Sequence, residues 1–164
     1  MKKITVIIAV FFITVLADAH EFWLQPKKYR YAVGEEMKVD FMVGENFSGE
    51  HWDLGKHKVE KLDVHFLGGT ANLIQQVKPT KGNNLVYQLP KEGTYLLALQ
   101  SNAAFIELEG AKFTEYLKED GLDEILDLRD QKGISAQPAK EFYQRFAKVL
   151  VQAGSKTDNT WKKM

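Results

Sequence analysis

Between His20 and about Glu109 the chain is a succession of short apolar runs separated by turn residues, and this rhythm limits what it can fold into. Met37, Val39, Phe41 and Val43 alternate with Lys38, Asp40 and Met42, which gives a strand with one apolar face and one mostly polar face. Leu62, Val64 and Phe66 repeat the pattern and place His65 on the opposite face, with Gly68-Gly69 closing the strand. Leu73 to Val77 and Leu85 to Leu89 are further strand candidates, separated by Pro79 and a Lys81-Gly82-Asn83-Asn84 turn. Gly93-Thr94-Tyr95 after a turn has the form of a tyrosine corner, in which the hydroxyl bonds back to the preceding turn. Ala103 to Glu109 supplies another strand. About seven closely spaced strands predict a mainly β protein, an immunoglobulin-like or transthyretin-like β-sandwich.

The pattern changes after Gly110. Phe113, Tyr116 and Leu117 share a helical face, so Lys112 to Asp120 is expected to be a short helix with Gly121 just beyond its end. Leu122, Ile125, Leu126 and Arg129 continue for a further turn or two. Pro138 suits the first position of a helix carrying Phe142 and Phe146. Ala147 to Gln152 is a final strand, and Gly154 to Met164 a polar, frayed tail. The expected division is a leader over 1–19, the sandwich over 20–110, a helical segment with the last strand over 111–152, and a tail over 153–164.

The leader follows from the first residues. Lys2 and Lys3 precede an apolar stretch from Ile4 to Leu16, and Ala17-Asp18-Ala19 provides small residues for cleavage. The stretch is shorter than the ~20 apolar residues of a membrane span. A cut after Ala19 makes His20 the new terminus, where the α-amine and imidazole can chelate one metal ion. A cut after Ala17 leaves Asp-Ala-His, which suits square-planar Cu²⁺ or Ni²⁺. Either cut places a histidine beside a new amine; equally, the first mature residue is a histidine by accident.

About 145 residues then remain, with a formal net charge of +0 and no cysteine. The balanced, interspersed charge argues against nucleic acid as a partner, and the missing cysteines exclude a disulfide scaffold. An exported chain without disulfides fits a periplasmic location.

Four histidines are the candidate metal ligands: His20, His51, His57 and His65. His51-Trp52-Asp53 and His57 are expected in one polar loop, either as ordinary exposed residues or as donors folding over His20. His65 is either idle on a solvent face or a ligand. Phe22 and Trp23 are expected to anchor the first strand. Ser48, Ser101, Ser135 and Ser155 lack a nucleophile-elbow setting, and no phosphate loop occurs, so no enzyme is expected.

His20-Glu21-Phe22-Trp23-Leu24-Gln25-Pro26, Val43-Gly44-Glu45-Asn46-Phe47-Ser48-Gly49 and Gly93-Thr94-Tyr95 resemble, in order, motifs of the DUF4198 family. Phe113-x-x-Tyr116-Leu117 with Gly121-Leu122, and Tyr143-x-x-Phe146-Ala147-Lys148-x-Leu150-Val151-Gln152, continue the match. The resemblance implies a periplasmic protein associated with nickel or cobalt uptake; members usually run on into a second β-sandwich, which this chain is expected to lack. The resemblance implies a bound divalent metal (nickel, cobalt or copper) and a membrane uptake system as partner. Two alternatives stand beside it: a structural or interaction sandwich without metal, and a copper-dependent oxidative enzyme using an N-terminal His.

Overall fold

The computed structural model describes residues 21–163; the expected leader and His20 lie outside the described residues. Two sheets pack face to face. The first is built on β3 (Glu36–Glu45), a long strand that pairs antiparallel along one edge with β1 (Glu21–Pro26). Its other edge is shared: β4 (Ser48–His51) takes the C-terminal half and β7 (Leu85–Gln88) the N-terminal half. The second sheet has the order β2 (Arg30–Tyr31), β11 (Phe146–Ala153), β8 (Gly93–Ser101), β5 (Val59–Phe66) and β6 (Gly69–Asn72). Only the short β2–β11 pair in it is parallel.

Period-two alternation puts Leu24, Met37, Val39, Phe41 and Leu85 on the inner face of the first sheet. They meet Leu62, Val64, Tyr95, Leu97, Leu99 and Val151 of the second, and Trp52, Leu73 and Leu89 close the edges. The mainly β sandwich followed by a short helical segment is what the sequence predicts.

The tyrosine corner is present as expected. Tyr95 is 1% exposed; its hydroxyl donates to the Lys91 carbonyl at 2.8 Å and accepts from the Lys91 N–H at 3.0 Å. Tyr95→Phe leaves both backbone groups without that partner, and the expected cost is about 1–2 kcal/mol. A chemical denaturation midpoint lowered at constant slope is the check.

Between β8 and β11 the chain leaves the sandwich and returns. The β8–β11 ladder ends at Gln100 and Phe146, and pairing resumes as a separate ribbon of β9 (Ala104–Leu108) and β10 (Ala139–Tyr143). At the interruption the Ser101 N–H donates to the Arg145 carbonyl, and the Arg145 N–H donates to Ser101 Oγ at 2.8 Å. Two helices join the ribbon strands, α1 (Gly110–Glu119) and α2 (Asp123–Gln131). Gly121, at φ +67°, ends α1 as predicted: its N–H reaches Lys118 O, and the Leu122 N–H reaches Leu117 O. Arg129 ties the return segment down with bonds to the Ile134 and Gln137 carbonyls, its guanidinium lying 4.9 Å from the Phe113 ring centre.

Three local expectations are corrected. The segment after Pro138 is the strand β10, not a helix. Phe142 and Phe146 are four apart, a helical spacing, but Ala139, Glu141 and Tyr143 alternate with exposed Lys140 and Phe142, and pairing with β9 settles the period at two. Leu73 to Val77 is not a strand: Leu73 is buried, and a 3₁₀ turn covers Ile74–Gln76. The tail is held rather than frayed. Asp158 accepts from the Thr94 N–H at 2.9 Å, and Glu92 accepts from the Ser155 and Lys156 N–H groups. The 3₁₀ turn Thr160–Lys163 then lies against β8 and β5, where Leu96 on the sheet's outer face is 1% exposed.

Candidate functional site

The outer face of the first sheet carries Glu21, Trp23 and Gln25 of β1 beside Gly44, Met42 and Asp40 of β3, and His51 of β4 opposite Met42. Trp52, one residue on, points inward into the core. His51 is therefore the end of a strand, not part of the polar loop expected for it. The Trp52 N–H donates to Phe41 O at 2.9 Å, so Phe41–Trp52 is the hydrogen-bonded pair and Met42–His51 its closer-spaced neighbour, with side chains adjacent.

Strand spacing sets where His51 stands relative to the start of β1. It is two strands across and two residues along from Glu21, which puts their Cα atoms roughly 12 Å apart. The Glu21 carboxylate accepts from the Phe47 N–H at 3.1 Å, and Phe47 packs edge-on to Trp23 with ring centres 5.6 Å apart. Both residues of the β3–β4 turn, Asn46 and Phe47, have positive φ, at 51° and 56°. That conformation is unfavourable for an aromatic residue and is held here by the ladder on both sides.

His51 Nδ1 is buried without a hydrogen-bond partner. The other side of the ring lies over Gly82, where a Cβ would stand 3.6 Å from Nε2 and 3.5 Å from Asp40 Oδ1. The imidazole edge and the Asp40 carboxylate are thus no more than about 7 Å apart. Burial pushes the Asp40 carboxyl up, but the Lys27 ammonium and the Asn83 N–H outweigh it and hold the group below its usual range. A groove of about 600 Å³ opens beside His51, lined by Glu50, Asp53, Lys56, Thr80 and Lys81 among others.

The other two described histidines stand elsewhere. His57 stacks on Trp52, ring centres 5.3 Å apart and planes 12° from parallel, so it belongs to the side of the sheet away from His51. Burial, then the Arg145 charge, lowers its pKa from 6.5. The unfolded chain therefore binds a proton more readily, so this group lowers stability as pH falls below about 6.5 and has no effect well above it. His57→Gln is expected to flatten that part of a stability–pH curve measured by denaturant titration from pH 7.5 to 5. His65, on β5 of the second sheet, pairs its Nδ1 with Thr70 Oγ1 at 2.8 Å.

His51, His57 and His65 thus occupy three separate surfaces. Among the described residues no three His, Cys, Asp or Glu side chains converge as a metal site. His20 lies outside the described residues, and His51 is the one of the three on the sheet face that Glu21 shares. The Met42–His51 rung is not evident from the polar composition around His51; the one sequence signal for it is the alternation of Gly49 and His51 with Glu50 and Trp52.

The sequence model of the family described as a domain of unknown function, DUF4198, matches residues 17–164. The chain belongs to the DUF4198 family. That match starts before His20 and spans the sandwich, the helical excursion and the tail of this DUF4198 chain. No curated protein and no solved structure matches it. No helix among the described residues is long and apolar enough to cross a membrane.

Proposed function

We propose that this DUF4198 protein is a periplasmic metal-binding protein that assists nickel or cobalt uptake, with His20, exposed by removal of residues 1–19, as the chelating group. The observation that supports the reading is the anchoring of β1 from Glu21 onward. Phe22 packs against the core, with its ring centre 4.9 Å from that of Trp52, Trp23 is 9% exposed, and the whole strand is paired to β3. A terminal amine–imidazole chelate immediately before such a strand is attached to a rigid element, which favours a defined geometry. His51 is the described histidine best placed to assist, since His57 is stacked on Trp52 and His65 stands on the other sheet.

Isothermal titration of the processed chain with Ni²⁺, Co²⁺ and Cu²⁺ tests this. One equivalent is expected to bind, and His20→Ala is expected to abolish tight binding while the thermal melt stays unchanged. Undiminished affinity in His20→Ala contradicts the terminal chelate.

A second reading, an interaction module without metal, is favoured by one feature. Phe105 and Phe142 lie in tilted contact on the outward side of the β9–β10 ribbon, ring centres 5.2 Å apart, while 50% and 75% exposed, and Phe146 is 64% exposed. Apolar groups left together in water often mark a contact surface.

A further inference from the structure

The helical excursion and the return strand enclose a second cavity, of about 220 Å³, lined by Ile106, Tyr116, Glu119, Asp120, Tyr143 and Arg145. Its charges are unusual in one respect. Arg145 lies with its guanidinium 5.0 Å from the Tyr143 ring centre, its Nε is buried without a hydrogen-bond partner, and among the described residues no carboxylate stands at ion-pair distance from it. A guanidinium is always charged and offers five donors, and stacking on an aromatic face leaves its edge free for a planar anion. Glu119 and Asp120, both solvent-exposed, line the rim of the same cavity at the C-terminal end of α1, where the helix carbonyls also favour a cation. The two acids and Arg145 share a cavity without neutralising one another.

Tyr116 and Tyr143 put aromatic surface on the lining and Ile106 adds an aliphatic side chain. The Tyr116 hydroxyl is committed: it donates to Glu141 at 2.9 Å, and burial, then the Glu141 carboxylate, raises its pKa. It is a fixed wall rather than a titrating group. A simple carboxylate entering the cavity meets two acids, and a simple amine meets Arg145. A molecule carrying both charges around a compact apolar group satisfies every wall, and the volume suits one of single-residue size.

From this arrangement we propose that the cavity between α1 and the β10–β11 junction binds a small zwitterion, a free α-amino acid with an apolar side chain. Its carboxylate is held by Arg145 and its ammonium by Glu119 and Asp120. The inference does not rest on the metal-binding reading, since none of the candidate metal ligands lines the cavity.

The test is isothermal titration of the processed, metal-free chain with L-leucine and L-phenylalanine. Each has a matched control that lacks one charge: 4-methylpentanoate and 3-methylbutylamine for leucine, 3-phenylpropionate and 2-phenylethylamine for phenylalanine. At least one amino acid is expected to bind, at least about tenfold more tightly than its single-charge analogues, as expected for the loss of a charged hydrogen bond. Arg145→Gln and Asp120→Asn are each expected to weaken it by a similar factor, with far-UV circular dichroism confirming the fold. Absence of heat with both amino acids at millimolar concentration overturns the proposal, and so does an analogue that binds as well as its parent. That comparison uses the unaltered chain, so the result stands even if a variant fails to fold.

Discussion

Asn84→Ala is expected to cost about 3–4 kcal/mol, more than most single substitutions in a domain of this size. The residue is 0% exposed and sits where the shared edge of β3 passes from β7 to β4. At that gap the Phe41 N–H has no strand partner, and Asn84 Oδ1 accepts its hydrogen at 2.9 Å. The same side chain donates to the carbonyls of Thr80 at 2.7 Å and Lys78 at 3.2 Å, which holds the 78–84 segment against the sheet. Removing it leaves a buried N–H unpaired and releases two carbonyls, and the first loss alone carries a desolvation penalty of about 1–3 kcal/mol. Urea denaturation read by Trp fluorescence should show a much lower midpoint. Because the segment includes Gly82, which covers His51, exchange of its amides should also rise in the variant. A midpoint within experimental error of the parent chain would show that the junction does not depend on this side chain.

The second large effect is expected at Gly110→Ala. Gly110 is buried at the first position of α1, and a Cβ there would stand 2.4 Å from both the carbonyl carbon and oxygen of Ala136. These are backbone atoms of the return segment, fixed in turn by Arg129 at Ile134 and Gln137, so no side chain can rotate out of the way. The helical excursion must separate from the strand that leads it back, at an expected cost of roughly 3 kcal/mol. The loss should be local, with faster amide exchange over 104–143 and little change in the sandwich strands. Gly121→Ala is the internal control. That position has φ +67° with open space around it, so only the backbone conformation is penalised, by about 1 kcal/mol. Equal effects at the two sites would contradict this account.

The sandwich was legible because its signals are local. Alternation in Met37–Val43 and Leu62–Phe66 assigns inner and outer faces without knowledge of partners, and the glycine before Thr94-Tyr95 marks the corner that the structure contains. Where the outcome depended on pairing, sequence reasoning stopped. Phe142 and Phe146 fit a helical repeat as well as a strand until β9 is seen alongside. The tail reads as polar and loose because the groups that hold it, Glu92 and Thr94, are about sixty residues away. The candidate sites divide in the same way. Histidines are easy to find, but only the strand register shows that His51 and His57 belong to opposite sides of one sheet. Arg145 carries no motif at all; its interest is that, among the described residues, no carboxylate stands at ion-pair distance from it.

The central claim is the terminal chelate, and native mass spectrometry of the protein purified after expression with its full leader in a bacterial host tests it most directly. With one equivalent of Ni²⁺, Co²⁺ or Cu²⁺ added, the account predicts a chain beginning at His20 that retains a single metal ion, and a His20→Ala chain that retains none. A chain processed at the same bond that holds no metal would contradict it.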